Sequence, residues 1–203
     1  VDAFVAVSHF GRSMMAEYLG IDAGRIHVVP LGINFDGYQQ HVDDEAEPFT
    51  IGYFARIAPE KGLHVLADAY RRLRSHPGLP SSRLWAAGYL GPEHRGYLAQ
   101  IQTQMNEAGL SGHLHYHGEL DRPAKLEFLR GLSVFSVPGP YADPKGLFLL
   151  EAMASGVPVV EPRRGAATEI VGTTGGGILV EPGNADALAD GILTLWQNVE
   201  QRR

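Results

Sequence analysis

From residue 49 onward, short apolar runs of strand length alternate with longer segments whose apolar residues recur every three or four positions, the spacing of one helix face. The predicted strands are Phe49–Ala55, Arg83–Tyr89, Leu114–Gly118, Leu132–Pro138, Pro158–Val160 and Gly177–Glu181. The predicted helices are Gly62–Ser75, Pro92–Ala108, Arg122–Arg130, Leu147–Ser155 and Ala185–Val199. Strands that alternate with helices through short links indicate an α/β fold, a doubly wound parallel sheet with helices on both faces.

The first 47 residues have the pattern of a smaller unit. A predicted strand, Val1–Ser8, runs into a helix, Gly11–Leu19, and a second apolar run, Ile26–Pro30, follows. The acidic stretch His41–Pro48 is predicted to be an exposed linker, because charge runs without apolar partners stay in water. We therefore expect a strand–helix unit with its linker at 1–47 and an α/β domain at 48–203. Because the first residue is not Met, we also expect a fragment or a processed form.

Composition excludes several classes of protein. Among the 203 residues, 44% are hydrophobic and the formal net charge is −6, so a disordered chain is excluded. No apolar stretch approaches about 18 residues, the length that a membrane-spanning helix needs. The absence of Cys excludes disulfides, thiolate metal sites and a cysteine nucleophile. The modest acidity argues against a nucleic-acid partner bound through a broad basic face.

The segment after the first main strand carries two cations. Arg56 leaves the strand and Lys61 is predicted to open the following helix, with Pro59 near its start. Neither a GxGxxG fingerprint nor a P-loop is present, which argues against a dinucleotide-dependent dehydrogenase. Arg56 and Lys61 are predicted to converge on one anion beside the positive end of the helix. The alternative is a pair of ordinary surface cations.

Glu151 is the only charged residue of Leu147–Ala154, a segment predicted to be a helix buried on every side. A buried carboxylate needs a partner or a ligand, so Glu151 is either a ligand-binding residue or half of a structural salt bridge. Asp143 lies eight residues earlier, and Gly146 stands just ahead of the helix. Both carboxylates are therefore predicted to flank one pocket near the helix N-terminus. Carboxylates bind sugar hydroxyls well, and with two cations nearby they suggest a nucleotide-sugar.

Six motifs occur in a specific order along nearly the whole chain. They are Val29–Asn34, Arg56…Lys61-Gly62, Gly118-Glu119-Leu120, Asp143-x7-Glu151, Glu151–Val160 and Glu169-Ile170-Val171. Together they closely resemble retaining glycosyltransferases of family 4, which have the GT-B fold of two Rossmann-like domains facing a cleft. The resemblance implies that this chain is the C-terminal, donor-binding domain with the last strand–helix unit of an N-terminal domain.

The resemblance also implies roles around the donor. Arg56 and Lys61 would hold its diphosphate, Glu151 would accept hydrogen bonds from the ribose, and Asp143 would face the transferred sugar. The family usually has Glu where this chain has Asp143, so sugar preference or contact strength is in question.

Backbone groups complete the implied site. The N–H groups of Gly146 and Leu147 would lie near phosphate and sugar, and the backbone around Leu120 near the nucleobase. Lys145 stands where an aromatic residue is common in the family, and would either favour an acidic sugar or simply face solvent.

The implied function is transfer of a sugar from a nucleotide-sugar to a sugar, lipid or other small acceptor, with retention at the anomeric carbon. Cations and helix-end amides would stabilise charge growing on the leaving diphosphate, so no metal or other cofactor is expected. The acceptor site would lie in a missing N-terminal domain, so the isolated chain should transfer little. We expect a cytoplasmic protein, with any contact to the inner membrane face made through that domain. The alternatives are a non-catalytic nucleotide-binding module and a GT-B sugar-nucleotide epimerase.

Other polar residues have a structural interpretation beside a functional one. His113, His115 and His117 share one face of a predicted strand and form either a zinc site or the polar face of an edge strand. His9 follows a strand end, and approach to the cleft of the intact enzyme is the less favoured interpretation of it. Gly175–Gly177 is predicted to form a tight turn rather than a phosphate cradle. Glu169 is predicted to begin a short helical stretch, with either a donor-side or a structural role.

Overall fold

The computed structural model describes residues 3–38, 48–76, 78–79 and 81–202. The strands are β1 (Phe4–Ala6), β2 (Ile26–Val28), β3 (Phe49–Phe54), β4 (Ser82–Ala87), β5 (Leu114–Tyr116), β6 (Val134–Phe135), β7 (Val159–Pro162) and β8 (Gly177–Val180). The helices are α1 (His9–Leu19), α2 (Leu63–Arg74), α3 (Arg95–Glu107), α4 (Arg122–Arg130), α5 (Leu147–Ala154), α6 (Gly165–Thr174), α7 (Ala185–Gln197) and α8 (Val199–Arg202).

Six parallel strands form the main sheet in the order β5-β4-β3-β6-β7-β8. The chain moves outward from β3 to β5, then returns to the other side of β3 and continues outward to β8. This confirms the predicted doubly wound α/β fold. The order reverses between β3 and β6, and in such sheets a crevice opens at that point, beyond the carboxyl ends of the strands.

The core of the main domain is formed by strands that are apolar on both faces. Ile51 and Tyr53 of β3 and Val159 and Val160 of β7 are at most 1% exposed. Such continuous apolar runs are expected in parallel strands that helices cover from both sides. The Tyr53 hydroxyl keeps a partner by donating to the Arg56 carbonyl oxygen, so the loop after β3 is tied to the core.

The first residues form a separate, smaller unit. Strands β1 and β2 pair in parallel as a two-stranded sheet, and Ala6, Ala16 and Ile26 form its own small core. Helix α1 packs against α6 of the main domain. The predicted linker His41–Pro48 lies outside the described residues except for Pro48, so the predicted boundary between residues 47 and 48 stays a prediction.

Several predicted elements have different bounds or were missed. The strand predicted at Leu132–Pro138 contains only two β residues, and Pro92–Ala108 begins with a 3₁₀ turn before α3. Helix α6 was recognised only from Glu169, although it begins at Gly165. Its glycines and threonines are weak helix formers, and packing of its buried Ala166, Ala167 and Val171 compensates for them.

Candidate functional site

Two loops meet at the point where the strand order reverses. One follows β3 and contains Lys61, and the other follows β6 and contains Asp143. Their backbones approach closely, because a Cβ on Gly62 would lie 2.6 Å from the backbone N of Gly139. Gly62 also has a φ of 78°, in the left-handed region that favours glycine. The cleft between these loops, the switch-point cleft, is lined by Glu60, Lys61, Tyr141, Asp143, Gly146, Phe148, Glu161 and Arg164, among others.

Lys61 and Asp143 form an ion pair across the switch-point cleft. The Lys61 Nζ lies 3.1 Å from Asp143 Oδ2, and the two side chains are 19% and 25% exposed. The ammonium also lies 5.2 Å from the centre of the Tyr141 ring. Lys61 belongs to a 3₁₀ turn, Pro59–Lys61, so the prediction that it opens the α-helix is wrong, and α2 begins two residues later.

Asp143 is held by backbone as well as by Lys61. Its Oδ1 accepts hydrogen bonds from the backbone N–H groups of Lys145 and Gly146, at 2.9 and 3.1 Å. Burial alone would raise the pKa of Asp143, but these N–H groups and the Lys61 ammonium outweigh burial and hold the pKa below its ordinary value. Asp143 is therefore an ionised carboxylate whose two oxygens have different partners.

Arg56 takes a different partner from Lys61. Its guanidinium lies 2.7 Å from Glu60 Oε1, and its side chain is 51% exposed. Arg56 and Lys61 are thus each paired with their own carboxylate, and their convergence on one bound anion stays a prediction. Glu60, which stands between the two cations in the same loop, was not among the predicted site residues.

Glu151 lies on α5 and pairs with a residue that the sequence analysis missed. Lys125 of α4 places its Nζ 2.7 Å from Glu151 Oε1, with side chains 17% and 20% exposed. Burial raises the pKa of Tyr38, and the charge of Glu151 beside the phenol raises it further. Arg122 holds this part of the chain by donating to the carbonyl oxygens of Asn34 and Asp36.

The prediction that α5 is buried on every side is wrong. Leu149, Ala152 and Ala154 are buried, whereas the other face of the helix is partly exposed. Leu150 and Met153 line an apolar groove together with residues of the 31–35 segment. Glu151 thus lies at the edge of the core rather than inside it, which explains how its carboxylate meets the flexible ammonium of Lys125.

The backbone positions implied by the resemblance surround the N-terminus of α5. Leu147 is the first residue of α5, where N–H groups have no acceptor within the helix. The N–H of Gly146 donates to Asp143 Oδ1, and its implied position near phosphate and sugar stays a prediction. Gly146 has a φ of 66°, in the left-handed region that favours glycine, and a Cβ there would also lie 2.5 Å from the Cδ1 atom of Ile170. Leu120 precedes Asp121, the N-cap of α4, at the carboxyl edge of β5.

Glu169 links two parts of the fold, which supports the structural one of the two roles considered for it. Its two carboxylate oxygens accept from the backbone N–H groups of His9 and Phe10, at 2.8 and 2.5 Å. The Ser8 hydroxyl donates to the Pro144 carbonyl oxygen nearby. The N-terminus of α1 is thereby fastened to α6 and to the loop before α5, and His9 lies with Lys145 on the pocket between them.

The histidines of the predicted zinc alternative have other partners. His113 Nδ1 lies 2.7 Å from the Tyr70 hydroxyl, and the His117 ring packs against Trp85. His115 lies in β5, which is an edge strand as predicted, whereas His113 and His117 lie just outside its two ends. The predicted glycine turn is also present, because Gly175 ends α6 in the left-handed conformation.

Two further facts concern metals and membranes. Within the described ranges, no group of three His, Cys, Asp or Glu side chains is placed to hold a metal ion. Among the helices that the structure describes, none is long and apolar enough to span a membrane.

Glu161, like Lys125, was not among the predicted site residues. Glu161 follows Val159 and Val160 in β7 and is 2% exposed. Glu161, like Glu151, is a single carboxylate in an apolar run. The pattern that made Glu151 a candidate therefore also indicates Glu161. Lys125 has no such signal, because its partner lies 26 residues away in the chain.

Known proteins resemble this chain in sequence and in fold. Phosphatidyl-myo-inositol mannosyltransferase of Mycobacterium leprae (strain TN) is 31% identical over 202 residues, 96% of this chain and 50% of that protein. The GDP-mannose-dependent alpha-(1-6)-phosphatidylinositol monomannoside mannosyltransferase of Mycolicibacterium smegmatis is 29% identical, over 94% of this chain and 52% of that protein. The chain thus spans about half the length of the curated relatives it matches.

The crystal structure of Anabaena HepE in complex with UDP has a TM-score of 0.87 with this chain, at 23% identity, over 100% of this chain and 56% of that one. This likeness confirms the predicted fold. Residues 37–203 match the family described as "Glycosyl transferases group 1". Because that match covers most of the length of this chain, the chain belongs to the glycosyl transferases group 1 family.

Proposed function

We propose that this chain binds the nucleotide-sugar donor of a retaining glycosyltransferase in the switch-point cleft. The observation that carries the proposal is the Lys61–Asp143 pair, in which a cation and a carboxylate from two different loops meet at 3.1 Å beside the N-terminus of α5. A cation and a helix N-terminus suit a diphosphate, and a carboxylate suits sugar hydroxyls. Membership of the family supports this interpretation.

The two oxygens of Asp143 suggest how the donor enters. Asp143 Oδ1 keeps its two backbone N–H donors whatever Lys61 does. The Lys61 ammonium can therefore move from Oδ2 to a phosphate oxygen while the carboxylate still has hydrogen-bond partners. Oδ2 then becomes an acceptor for a hydroxyl of the transferred sugar. Arg56, half exposed and paired with Glu60, can turn to the same diphosphate.

The reaction follows from the change of charge during transfer. As the bond from the anomeric carbon to the phosphate oxygen breaks, negative charge grows on the diphosphate. Lys61, Arg56 and the N-terminus of α5 stabilise that charge more in the transition state than in the bound donor. In this proposal no metal ion takes part, and the acceptor attacks with retention from a part of the protein beyond this chain.

Glu151 is proposed to bind the ribose of the donor. Its Oε1 holds Lys125 at 2.7 Å, which keeps the carboxylate oriented, and its other oxygen accepts a ribose hydroxyl. The backbone at Leu120, at the carboxyl edge of the same sheet, lies against the nucleobase in this arrangement.

The relatives suggest which donors to test first. One of them is GDP-mannose-dependent by name, and a protein with the same fold was crystallised with UDP. GDP-mannose and UDP-sugars are therefore the first candidates. The mannosyltransferases named above act on phosphatidylinositol compounds, so a lipid-linked polyol is the first acceptor to test with the full-length protein.

Calorimetric titration of the chain with GDP, UDP, ADP and dTDP tests the proposal. Saturable binding of one nucleotide is expected, weakened at least tenfold by Lys61→Ala and by Glu151→Ala. Arg71→Ala is the matched control, because Arg71 is a paired cation near the opposite end of α2 and should leave binding unchanged. A folded chain that binds no nucleotide at millimolar concentration would contradict the proposal.

A further inference from the structure

Glu161 is a buried carboxyl group at the floor of the switch-point cleft. It lies on β7 next to the strand that ends in the Asp143 loop, and it lines the cleft together with Lys61 and Asp143. Its side chain is 2% exposed, and its Oε1 accepts the backbone N–H of Val137 at 2.6 Å. None of the roles assigned so far to the donor site uses this residue.

The surroundings of Glu161 disfavour a charged carboxylate. The titratable groups that line the cleft with Glu161, or interact with it through charge, are Tyr53 from β3, Glu60 and Lys61 from the turn after β3, Tyr141 and Asp143 from the loop before α5, and Arg164 at the start of α6. Lys61 is already paired with Asp143, and the Arg164 guanidinium donates to the Pro140 carbonyl oxygen. Among the residues that the structure describes, both cations that line the cleft are therefore engaged.

The pKa of Glu161 reflects this arrangement. Burial raises the pKa to about 8; the negative charge of Asp143 adds to the rise, while the Val137 N–H and Lys61 oppose it. At neutral pH the group is thus mainly a carboxylic acid, with one O–H to donate. On ionisation it would become a second carboxylate beside Asp143, where it would attract Lys61.

We propose that Glu161 is a positioning residue of the donor site that must be neutral for the diphosphate to bind. In its neutral form it leaves Lys61 available to phosphate; when ionised it competes with phosphate for that ammonium and repels the incoming anion. The inference rests on the proposed function, because it takes the switch-point cleft to be the diphosphate site. Ionisation of Glu161 would therefore set an upper limit to the pH at which the switch-point cleft binds a diphosphate tightly.

The test is the pH dependence of nucleoside diphosphate affinity, measured by calorimetry between pH 7 and 9 with whichever of GDP or UDP binds. For the unaltered chain we expect affinity to fall about tenfold between pH 7 and 9, the effect of one ionisation near pH 8. Glu161→Gln, which imitates the neutral acid, should bind within about threefold of the unaltered chain at pH 7 and keep that affinity to pH 9. Glu60→Gln is the control and should keep the loss at alkaline pH.

A second measurement needs no variant. With ¹³C-labelled glutamate, NMR follows the ionisation of Glu161 directly, and saturating nucleotide should raise its pKa, because a ligand that selects the protonated form stabilises it reciprocally. The inference is overturned if Glu161→Gln loses affinity at high pH as the unaltered chain does, or if nucleotide leaves the pKa of Glu161 unchanged or lowers it. A chain that binds no nucleotide at any pH instead overturns the proposed function, and this inference with it.

Discussion

Replacing Lys125 by Met removes the partner of Glu151 while keeping most of the apolar stem. The structure places the two charges 2.7 Å apart, with four fifths of each side chain covered. The Phe54 ring lies beneath the ammonium, at 5.9 Å from its centre. After the substitution the carboxylate keeps its burial and loses its cation, so the folded state loses free energy.

The size of that loss lies between two known limits. Exposed ion pairs contribute about 0–1 kcal/mol, and breaking a fully buried pair costs about 3–5 kcal/mol. For a pair that is four fifths buried we expect Lys125→Met to lower the free energy of unfolding by about 2 kcal/mol. The double variant Lys125→Met, Glu151→Leu should recover at least half of this loss, because no unpartnered charge remains.

Urea unfolding of the unaltered chain, both single variants and the double variant measures the coupling energy of the pair. Arg130→Met is the matched control: its partner Glu127 is 69% exposed, so the loss should stay below about 0.5 kcal/mol. Equal effects of Lys125→Met and Arg130→Met, or a coupling energy below about 0.3 kcal/mol, would refute the reasoning.

Three further predictions concern stability. Glu161→Gln should raise the free energy of unfolding by about 3 kcal/mol at pH 7 and by less than about 1 kcal/mol at pH 5. The pKa of Glu161 in the folded chain lies above the ordinary 4.5, so the folded chain keeps a proton that the unfolded chain releases. The free energy of unfolding of the unaltered chain therefore falls as the pH rises from about 4.5 to 8. Equal gains from Glu161→Gln at pH 5 and pH 7 in urea unfolding would contradict this. Glu169→Gln should weaken two charge-assisted hydrogen bonds at the N-terminus of α1, so amide exchange in α1 should accelerate about tenfold while β3 stays protected. Gly62→Ala should lower the free energy of unfolding by more than about 2 kcal/mol, because the new Cβ would lie 2.6 Å from the backbone of Gly139. A fall in the melting temperature of less than about 3 °C would contradict this and would show that the loops after β3 and β6 can separate.

The order of elements could be predicted because it depends on local patterns. Apolar runs of strand length between helical segments indicated all six main strands, and the doubly wound sheet followed from their alternation. Helix α6 was predicted only from Glu169, because its Gly165, Gly172 and three threonines are typical of a loop. Contact with the core explains why the segment is helical from Gly165. Tertiary packing there overrides the local preference of the sequence.

The candidate site was predictable in its residues and only partly in its pairings. Lys61, Asp143, Gly146 and Glu151 all lie at the carboxyl edge or on the helix that begins there, where the fold places ligands. The pairing of cations with carboxylates depends on which side chains the fold brings close together. The role of Lys125 as the partner of Glu151 could therefore not be predicted from the sequence. Their assignment to a donor remains a prediction until a nucleotide is seen in the site.

A crystal structure of this chain with its nucleoside diphosphate tests the central claim most directly. We expect the diphosphate to lie between Lys61 and the N-terminus of α5, with Lys61 released from Asp143 Oδ2 and a ribose hydroxyl within 3.5 Å of Glu151. A nucleotide bound elsewhere, with the Lys61–Asp143 pair still closed, would contradict the claim that the switch-point cleft is the donor site.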